Sequence, residues 1–183
     1  TDIPVNNVGA GTGTQNAIAA MAPTGSVEFN GTVWAIGADS ITDHKNKWGA
    51  AGTQNSSVFY GGGSGNTSTA ATEHYNGTGW TAGGNMNTDS AGGGGCGTQT
   101  AALFSRRTND SESCNGTSWT AETDYPSPER FNAGQVGTQT ASVIFGGEAP
   151  SETYINRTEE WDGSSWTQGG NTIIPGSFGG GGG

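Results

Sequence analysis

Three glutamates are the residues of this chain whose type and spacing first suggest chemistry. Glu73, Glu112 and Glu159 occupy the same position of a repeated sequence pattern, two residues before a position that is usually aromatic. A pair of carboxylic acids can act as general acid and base. A carboxylate that recurs in successive repeats is more typical of the protein frame. We therefore predict that these three glutamates bind backbone N–H groups or a threonine of a neighbouring repeat.

The histidines and cysteines do not form a recognisable metal-binding motif. His44, His74, Cys96 and Cys114 share no spacing typical of zinc ligands. The repeat places Cys96 on the first strand and Cys114 on the third strand of one unit, and such strands lie roughly 9–10 Å apart. That separation is too large for a disulfide. We predict two free, buried cysteines, no metal, no cofactor and no catalytic residues.

Two short motifs define the elements that position these residues. Gly-Thr-Gln occurs at 13–15, 52–54, 97–99 and 137–139. An Asn-Gly or Asp-Gly pair begins four residues before each of the tryptophans Trp34, Trp80, Trp119 and Trp166. The first and third Gly-Thr-Gln copies are 84 residues apart, and the second and fourth are 85 apart. The four units therefore form a doubled pair.

Each unit is predicted to fold as four short strands. In the fourth unit we expect strands at 131–137, 141–147 and 156–161, followed by "SSWTQGG", with "GTQT" as a tight turn between the first two. Asp162-Gly163 indicates a two-residue hairpin, because both central residues of a type I′ turn need a positive φ. Asn-Gly occupies the same turn in the other units. Four strands in about 43 residues are typical of a β-propeller blade.

The sequence at this point resembles the kelch repeat. A glycine pair follows an apolar strand in "VFYGGG" and "VIFGG", and an aromatic–tryptophan pair follows in "HYNGTGW" and "EWDGSSW". The particular form is similar to the divergent kelch-like arrays of virion structural proteins of tailed phages, notably cyanophages. Units one and three depart from the pattern, since Met21-Ala22-Pro23 and Ser105-Arg106-Arg107 replace Phe-Gly-Gly.

The resemblance covers about residues 8–172 and implies an all-β propeller of about four blades. We expect blades at about 8–36, 47–86, 91–121 and 131–170, after an N-terminal arm at 1–7 and before a glycine-rich tail at 173–183. Both a complete four-bladed ring and a piece of a longer array are compatible with four units. The chain begins at Thr1 without Met, which indicates a processed product, a fragment or a partial chain.

Composition excludes two classes of partner. The net charge is −10 with only 6 Lys and Arg residues, so no basic patch is available to neutralise nucleic-acid phosphates. No apolar run approaches the roughly 20 residues that cross a membrane. The 35 glycines and the near absence of leucine would suggest disorder, but the evenly spaced aromatic residues predict a thin core between strands.

The expected contact surface is the face that carries the long connections between strands, because binding residues concentrate on loops held by a rigid scaffold. Exposed aromatics and arginines are typical contact residues. The candidates are Trp48, Arg106, Arg107, Tyr125 and Tyr154. In addition, the segment 171–178 carries two adjacent isoleucines that we expect to dock against a neighbouring subunit.

The phage-like form of the repeat implies a non-enzymatic virion structural protein, such as a tail fibre, whisker or capsid decoration. Such a protein would serve assembly or attachment to a host surface. Its partners would be other virion or fibre proteins and further copies of itself, with host-surface glycan as a further ligand. The alternative is a carbohydrate-binding lectin or adhesin propeller that is secreted or held at the cell surface.

Overall fold

The computed structural model describes residues 17–20, 25–29, 32–44, 48–63, 67–90, 92–127, 129–151, 153–177 and 181–182. All regular structure in these residues is β-strand, arranged in four mainly antiparallel sheets that we call blades 1 to 4. No helix within the described residues is long and apolar enough to cross a membrane. The predicted N-terminal arm and the first Gly-Thr-Gln motif lie outside the described residues.

Apart from the last strand of blade 4, the strands follow one another through each blade in simple meander order. Blade 1 contains β1 (Ala17–Ala20), β2 (Ser26–Phe29) and β3 (Trp34–Ile36), and blade 2 contains β4 (Trp48–Thr53), β5 (Ser56–Gly61), β6 (Thr72–Tyr75) and β7 (Trp80–Ala82). Blade 3 contains β8 (Gly93–Thr98), β9 (Ala101–Arg106), β10 (Ser111–Cys114) and β11 (Trp119–Ala121). Blade 4 contains β12 (Gly134–Thr138), β13 (Ala141–Phe145), β14 (Thr158–Trp161), β15 (Trp166–Gln168) and β16 (Gly181–Gly182).

The first strands of blades 2, 3 and 4 pack side by side, with β8 lying between β4 and β12. These strands are rich in glycine because side chains of the neighbouring blades fill the space beside them. A Cβ atom at Gly95 would clash with the hydroxyl of Tyr60, and one at Gly94 would lie 2.6 Å from Cβ of Gln135. The first strands therefore carry small residues so that the blades can approach closely.

The end of the glycine-rich tail forms a short strand, which no pattern in the sequence indicates. β16 pairs in parallel with β12, with Gly181 beside Gln135 and Gly182 beside Val136. A strand without side chains fits beside the crowded first strands, since only backbone atoms need space there. Sequence patterns for strands depend on side chains, so polyglycine gave no signal.

The Gly-Thr-Gln motif forms the tight turn that the sequence predicts. In blade 3, Thr98 of β8 pairs with Ala101 of β9, so that Gln99 and Thr100 alone form the connection. Gly97 has a φ of 103°, and a Cβ atom there would collide with the Ala101 carbonyl. Glycine is therefore required at this position by both conformation and space.

The Asn-Gly hairpin is present, but its predicted type I′ geometry is wrong. Tyr75 pairs with Trp80, so the connection has four residues, from Asn76 to Gly79. Gly77 has a φ of 91°, whereas Asn76 is not among the residues with positive φ. The Asn76 side chain instead accepts hydrogen bonds from the N–H groups of Thr78 and Gly79, both at 3.0 Å. The asparagine acts through its side chain as an Asx turn.

The core consists of aromatic clusters that lie between successive blades. Phe59, Tyr75 and Trp80 form one cluster, with Ala38 of the blade 1–2 connection packed against it. A second cluster joins Val58 and Tyr60 of blade 2 to residues of blade 3 that include Phe104 and Trp119. A third cluster joins Leu103 of blade 3 to Ile144 and Trp166 of blade 4.

We call the face of each blade turned toward the preceding blade its leading face, and the opposite face its trailing face.

The described strands of blade 1 make no extensive contact with those of blade 4. Trp34, on the leading face of blade 1, is 55% exposed. In the described part of the chain, blade 4 therefore does not cover blade 1 in the way that each internal blade covers the next.

Candidate contact surfaces

The tryptophan of the outer strand joins each of blades 2, 3 and 4 to the part of the chain before it. Trp119 of blade 3 donates its indole N–H to the Thr72 hydroxyl of blade 2 at 2.9 Å, and Trp166 of blade 4 donates to the Ser111 hydroxyl of blade 3 at 3.2 Å. Trp80 donates at 2.9 Å to the carbonyl of Ala38, which follows blade 1. The repeated tryptophan is therefore an inter-blade contact. Its acceptor is the hydroxyl at the start of the third strand in blades 2 and 3, and a carbonyl of the connection after blade 1.

Within the described residues, the glutamine of the Gly-Thr-Gln motif makes a second contact between blades. Nε2 of Gln99 donates to the carbonyls of Ser57 and Tyr75 in blade 2, at 2.9 and 2.8 Å. Gln139 likewise donates to the Cys114 carbonyl of blade 3 at 2.9 Å. This role was not predicted from the sequence, in which the turn alone explained the motif. The signal was present, because a tight turn does not require glutamine and every copy of the motif has it.

Glu73 shows how the repeated glutamates act. Its carboxylate accepts a hydrogen bond from the N–H of Ile41 at 2.7 Å and another from the N–H of Thr42, both in the connection from blade 1. Nε2 of His44 lies 3.1 Å from the same carboxylate, while Nδ1 faces the Gly61 carbonyl at 2.6 Å. Both ring nitrogens of His44 therefore face acceptor oxygens of the blade 1–2 contact.

Glu112 and Glu159 hold the next two connections in related ways. Glu112 accepts from the N–H groups of Asn87 and Thr88, at 2.9 and 3.3 Å, and pairs with Arg106. Glu159 accepts from the Ser127 hydroxyl and pairs with Arg130. The predicted backbone N–H contacts are present at Glu73 and Glu112, whereas Glu159 uses side-chain donors. All three carboxylates fix the connection that enters their blade.

The pKa values of Glu73 and Glu159 shift in opposite directions. Burial alone would raise the pKa of Glu73, but hydrogen bonds from His44 and from Ile41 and Thr42 outweigh that effect and lower it. At Glu159 burial dominates and raises the pKa against the opposing influence of Arg130. The difference follows from the donors, because backbone N–H groups act on Glu73 but not on Glu159.

Two of the five predicted contact residues are buried, which corrects their expected position. Arg106 is enclosed and pairs with Asp110 and Glu112. Tyr125 is also enclosed, donates its hydroxyl to the Arg106 carbonyl, and packs against the Trp166 ring. Both residues were expected on the loop surface because the sequence assigned them to long connections. Arg106 instead ends strand β9, and its side chain donates to the Thr88 carbonyl of the connection from blade 2 at 3.1 Å. Tyr125 lies in a connection that folds inward between blades 3 and 4. Trp48 begins β4, and its side chain lies outside the described part.

The other two predicted contact residues lie on one continuous strip of the long-connection face. Arg107 is half-exposed, pairs with Glu129 at 3.3 Å, and lies over the ring of Phe131 at 4.8 Å. The backbone of Phe131 forms an isolated antiparallel β-bridge with that of Glu148, and Glu148 forms another with Tyr154. Tyr154 is 57% exposed. We call these residues the loop strip.

The leading face of blade 1 is a second exposed surface. Trp34 and Ile36 lie on the same side of β3 and are 55% and 84% exposed. The Trp34 ring packs against Phe29 with centroids 5.1 Å apart, but within the described residues its indole N–H has no acceptor. Val27 occupies the position of the repeated glutamate, because it precedes Phe29 by two residues as Glu73 precedes Tyr75. This face therefore lacks the carboxylate of the internal blades.

The cysteines are free and buried, as the sequence predicts. They lie on β8 and β10 of blade 3. Burial raises the pKa of the Cys96 thiol to about 12, which leaves too little thiolate for nucleophilic chemistry. In the described ranges, no group of three or more His, Cys, Asp or Glu side chains is placed to hold a metal ion.

Comparison with known proteins shows the fold. No protein-family model matches this chain, and no curated protein sequence does. The structure is similar to that of YjhT, a kelch-like propeller, with a TM-score of 0.74 and 11% sequence identity over 96% of this chain and 68% of YjhT. At that identity the likeness shows architecture alone. Together with the sheet order, it establishes an all-β fold of four propeller blades.

Proposed function

We propose that this chain is a non-enzymatic structural protein of a virion, such as a tail fibre, whisker or capsid decoration, that serves assembly or attachment to a host surface. The observation that carries the proposal is the use of the acidic residues. The repeated carboxylates, which are the best candidates for acid–base chemistry, are each occupied in fixing a connection between blades. The phage-like form of the repeat supplies the choice of particle.

The exposed surface supports an assembly role. Apolar side chains on the leading face of blade 1 are largely exposed. The two consecutive isoleucines that follow blade 4, Ile173 and Ile174, are also largely exposed. Such residues are costly to leave in water and are typical of surfaces that bind other protein. The acidic, glycine-rich composition keeps the rest of the surface soluble.

Mass spectrometry of purified particles tests this proposal. Peptides of this chain should co-purify with virions through a density gradient at a constant ratio to the major capsid protein. A gold-labelled antibody against the chain should then mark regular positions on the particle in electron micrographs. Peptides confined to the soluble fraction, with unlabelled virions, would reject a structural role.

A carbohydrate-binding propeller is the second candidate, and the loop strip favours it. An exposed tyrosine stacks well on a sugar ring, and a neighbouring arginine donates to hydroxyl or carboxylate oxygens. The strip offers both in Tyr154 and Arg107, on the face that carries the long connections.

A glycan array with matched variants tests the second candidate. Tyr154→Ala should abolish any saccharide signal, whereas Thr167→Ala, an exposed substitution on the outer strand of the same blade, should preserve it. No binding across neutral, acidic and sulfated glycans would exclude this function for the chain.

A further inference from the structure

We propose that the leading face of blade 1 binds the trailing face of blade 4 of a second copy, so that the chains associate head to tail. This head-to-tail contact would be one way in which the chain performs the proposed assembly role. It rests on that role in one respect, that more than one copy of the chain acts together. The internal interfaces between blades serve as its template, because the two terminal faces carry the matching halves of that interface.

The first match is the tryptophan and its hydroxyl acceptor. Trp119 and Trp166 donate to Thr72 and Ser111, which are the first residues of the third strands of the preceding blades. The same position of blade 4 is Thr158, the first residue of β14. Its hydroxyl donates to the Gly170 carbonyl at 2.6 Å, just as Ser111 donates to the Thr123 carbonyl while it accepts from Trp166. Thr158 can therefore accept the indole N–H of Trp34.

The second match concerns the connection that leaves each blade. The N–H groups of Met86 and Tyr125 bond to carbonyls of Ala70 and Asn109, each two residues before a third strand, at 2.9 Å in both cases. Thr172 makes the same bond to Asn156 at 2.6 Å. The chain after blade 4 therefore follows the course of the internal connections, and Thr172 holds the place of Met86 and Tyr125.

This equivalence fixes the position of the two isoleucines. Asn87 and Thr88, which follow Met86, bind the carboxylate of Glu112 on the next blade. Ile173 and Ile174 follow Thr172 and are 99% and 72% exposed. They are therefore placed against the glutamate position of whichever blade packs next.

Blade 1 carries the complementary residue at that position. Val27 stands where blades 2, 3 and 4 have Glu73, Glu112 and Glu159. A carboxylate facing two isoleucine side chains would be buried at a high cost, whereas valine against isoleucine buries apolar surface from both sides. The polar contact of the internal interfaces is thus replaced on both terminal faces by an apolar one.

The carbonyls that accept from the glutamine are a third feature of the template. Gln99 binds the carbonyls of Ser57 and Tyr75, and the corresponding residues of blade 4 are Ser142 and Trp161, which pair across β13 and β14. The trailing face of blade 4 therefore carries the acceptor half of this contact as well.

Such an interface is heterologous, since it joins different faces of identical chains. Heterologous contacts close into a ring or extend into a filament according to the angle between subunits. Either product would suit a part that repeats along a fibre or around an axis. Because the contact is mainly apolar, added salt should not weaken it.

Sedimentation velocity of the full chain and of two single-face variants tests the proposal. Trp34→Glu disables the leading face, and Ile173→Glu with Ile174→Glu disables the trailing side. Each change should lower the association constant at least about 30-fold, as expected for hot-spot residues. Tyr154→Glu is the control, because it adds the same charge at a similarly exposed aromatic on the loop strip. Circular dichroism would establish that all variants are folded.

A mixture of the two face variants is the decisive sample. The Trp34→Glu chain keeps its blade 4 side and the double isoleucine variant keeps its blade 1 face, so together they should form a one-to-one dimer and nothing larger. Wild-type chain that stays monomeric at every concentration, variants that associate like wild type, or a mixture without dimer would each overturn the proposal. A monomeric chain that is nevertheless found in virions would reject this interface and leave the structural role standing. A chain that self-associates but is absent from virions would reject the structural role and leave this interface standing.

Discussion

Blades 3 and 1 carry a tryptophan at the same place in the outer strand, yet Trp119 is 6% exposed and Trp34 is 55% exposed. Around Trp119 the preceding blade supplies the Thr72 hydroxyl and the Tyr60 ring, whose centroid lies 4.8 Å away. Among the described residues, the Trp34 ring is in ring contact only with Phe29 of its own blade. The same residue is thus a core residue or a surface residue according to whether a blade precedes it.

The comparison teaches that the unit of packing is the interface between blades, not the blade. Each sheet is thin, and its aromatic side chains become buried only when a second sheet covers them. This is the behaviour of repeat architectures, in which each repeat is stabilised by its neighbours. Changes at an internal interface should therefore destabilise the fold, while equivalent changes on blade 1 should not.

Removal of the tryptophan gives the largest expected difference. Trp119→Ala should lower the free energy of unfolding by about 3–5 kcal/mol, because it leaves a cavity and an unpaired Thr72 hydroxyl. Trp34→Ala should change it by less than about 1 kcal/mol, as exposed substitutions do. Urea unfolding followed by circular dichroism, at a concentration where the chain is monomeric, measures both values. Equal losses would show that blade 1 is covered within one chain.

The buried ion pair of blade 4 should have an effect nearly as large. Arg130→Met leaves the Glu159 carboxylate enclosed without its partner, and breaking such a pair costs about 3–5 kcal/mol. Arg107→Met is the matched control, since its pair with Glu129 is half-exposed and should contribute about 0–1 kcal/mol. Thermal unfolding of the two variants at neutral pH tests the contrast. A control as unstable as Arg130→Met would mean that the loop strip is part of the core.

The glutamine contact should contribute less. Gln99→Ala removes two hydrogen bonds to carbonyls of blade 2 and should cost about 1–3 kcal/mol. Gln168→Ala, at an exposed position of β15, should leave stability within about 0.5 kcal/mol. Both are measured as shifts of the urea midpoint at unchanged slope. If Gln99→Ala were neutral, the motif would be explained by its turn alone.

Much of this fold could be predicted from the sequence, because its signals are local and repeated. Gly-Thr-Gln and the Asn-Gly pair mark two turns of each blade, and the tryptophan follows at fixed spacing. The turn type was missed because Asn76 acts through its side chain, whereas the prediction considered only φ. The strand β16 was missed because glycine carries no periodic pattern.

The contact surface was harder to predict than the fold, for a physical reason. Position in a long connection indicates exposure only when the connection runs over the surface, and the one that holds Tyr125 turns inward between two blades. Sequence alone also gives the same motif to an internal and a terminal blade. Only the presence or absence of a covering sheet separates Trp34 from Trp119.

The acidity of Glu73 gives the smallest and most specific effect. Its pKa in the folded chain lies below the ordinary value of 4.5, so the unfolded chain takes up a proton at a higher pH than the folded chain does. The stabilisation that the Glu73 carboxylate contributes is therefore fully present above pH 4.5 and is lost as the pH falls through the folded-state pKa.

Glu73→Gln tests this dependence, because it keeps the shape of the side chain and one acceptor oxygen but removes the charge. The stability difference between wild type and this variant should shrink as the pH falls below about 5. Val27→Gln, at the same position of blade 1, should show no such dependence, because no carboxylate is lost there. A Glu73→Gln difference that stayed constant down to the lowest pH at which both chains fold would mean that the Glu73 charge does not hold the blade 1–2 connection.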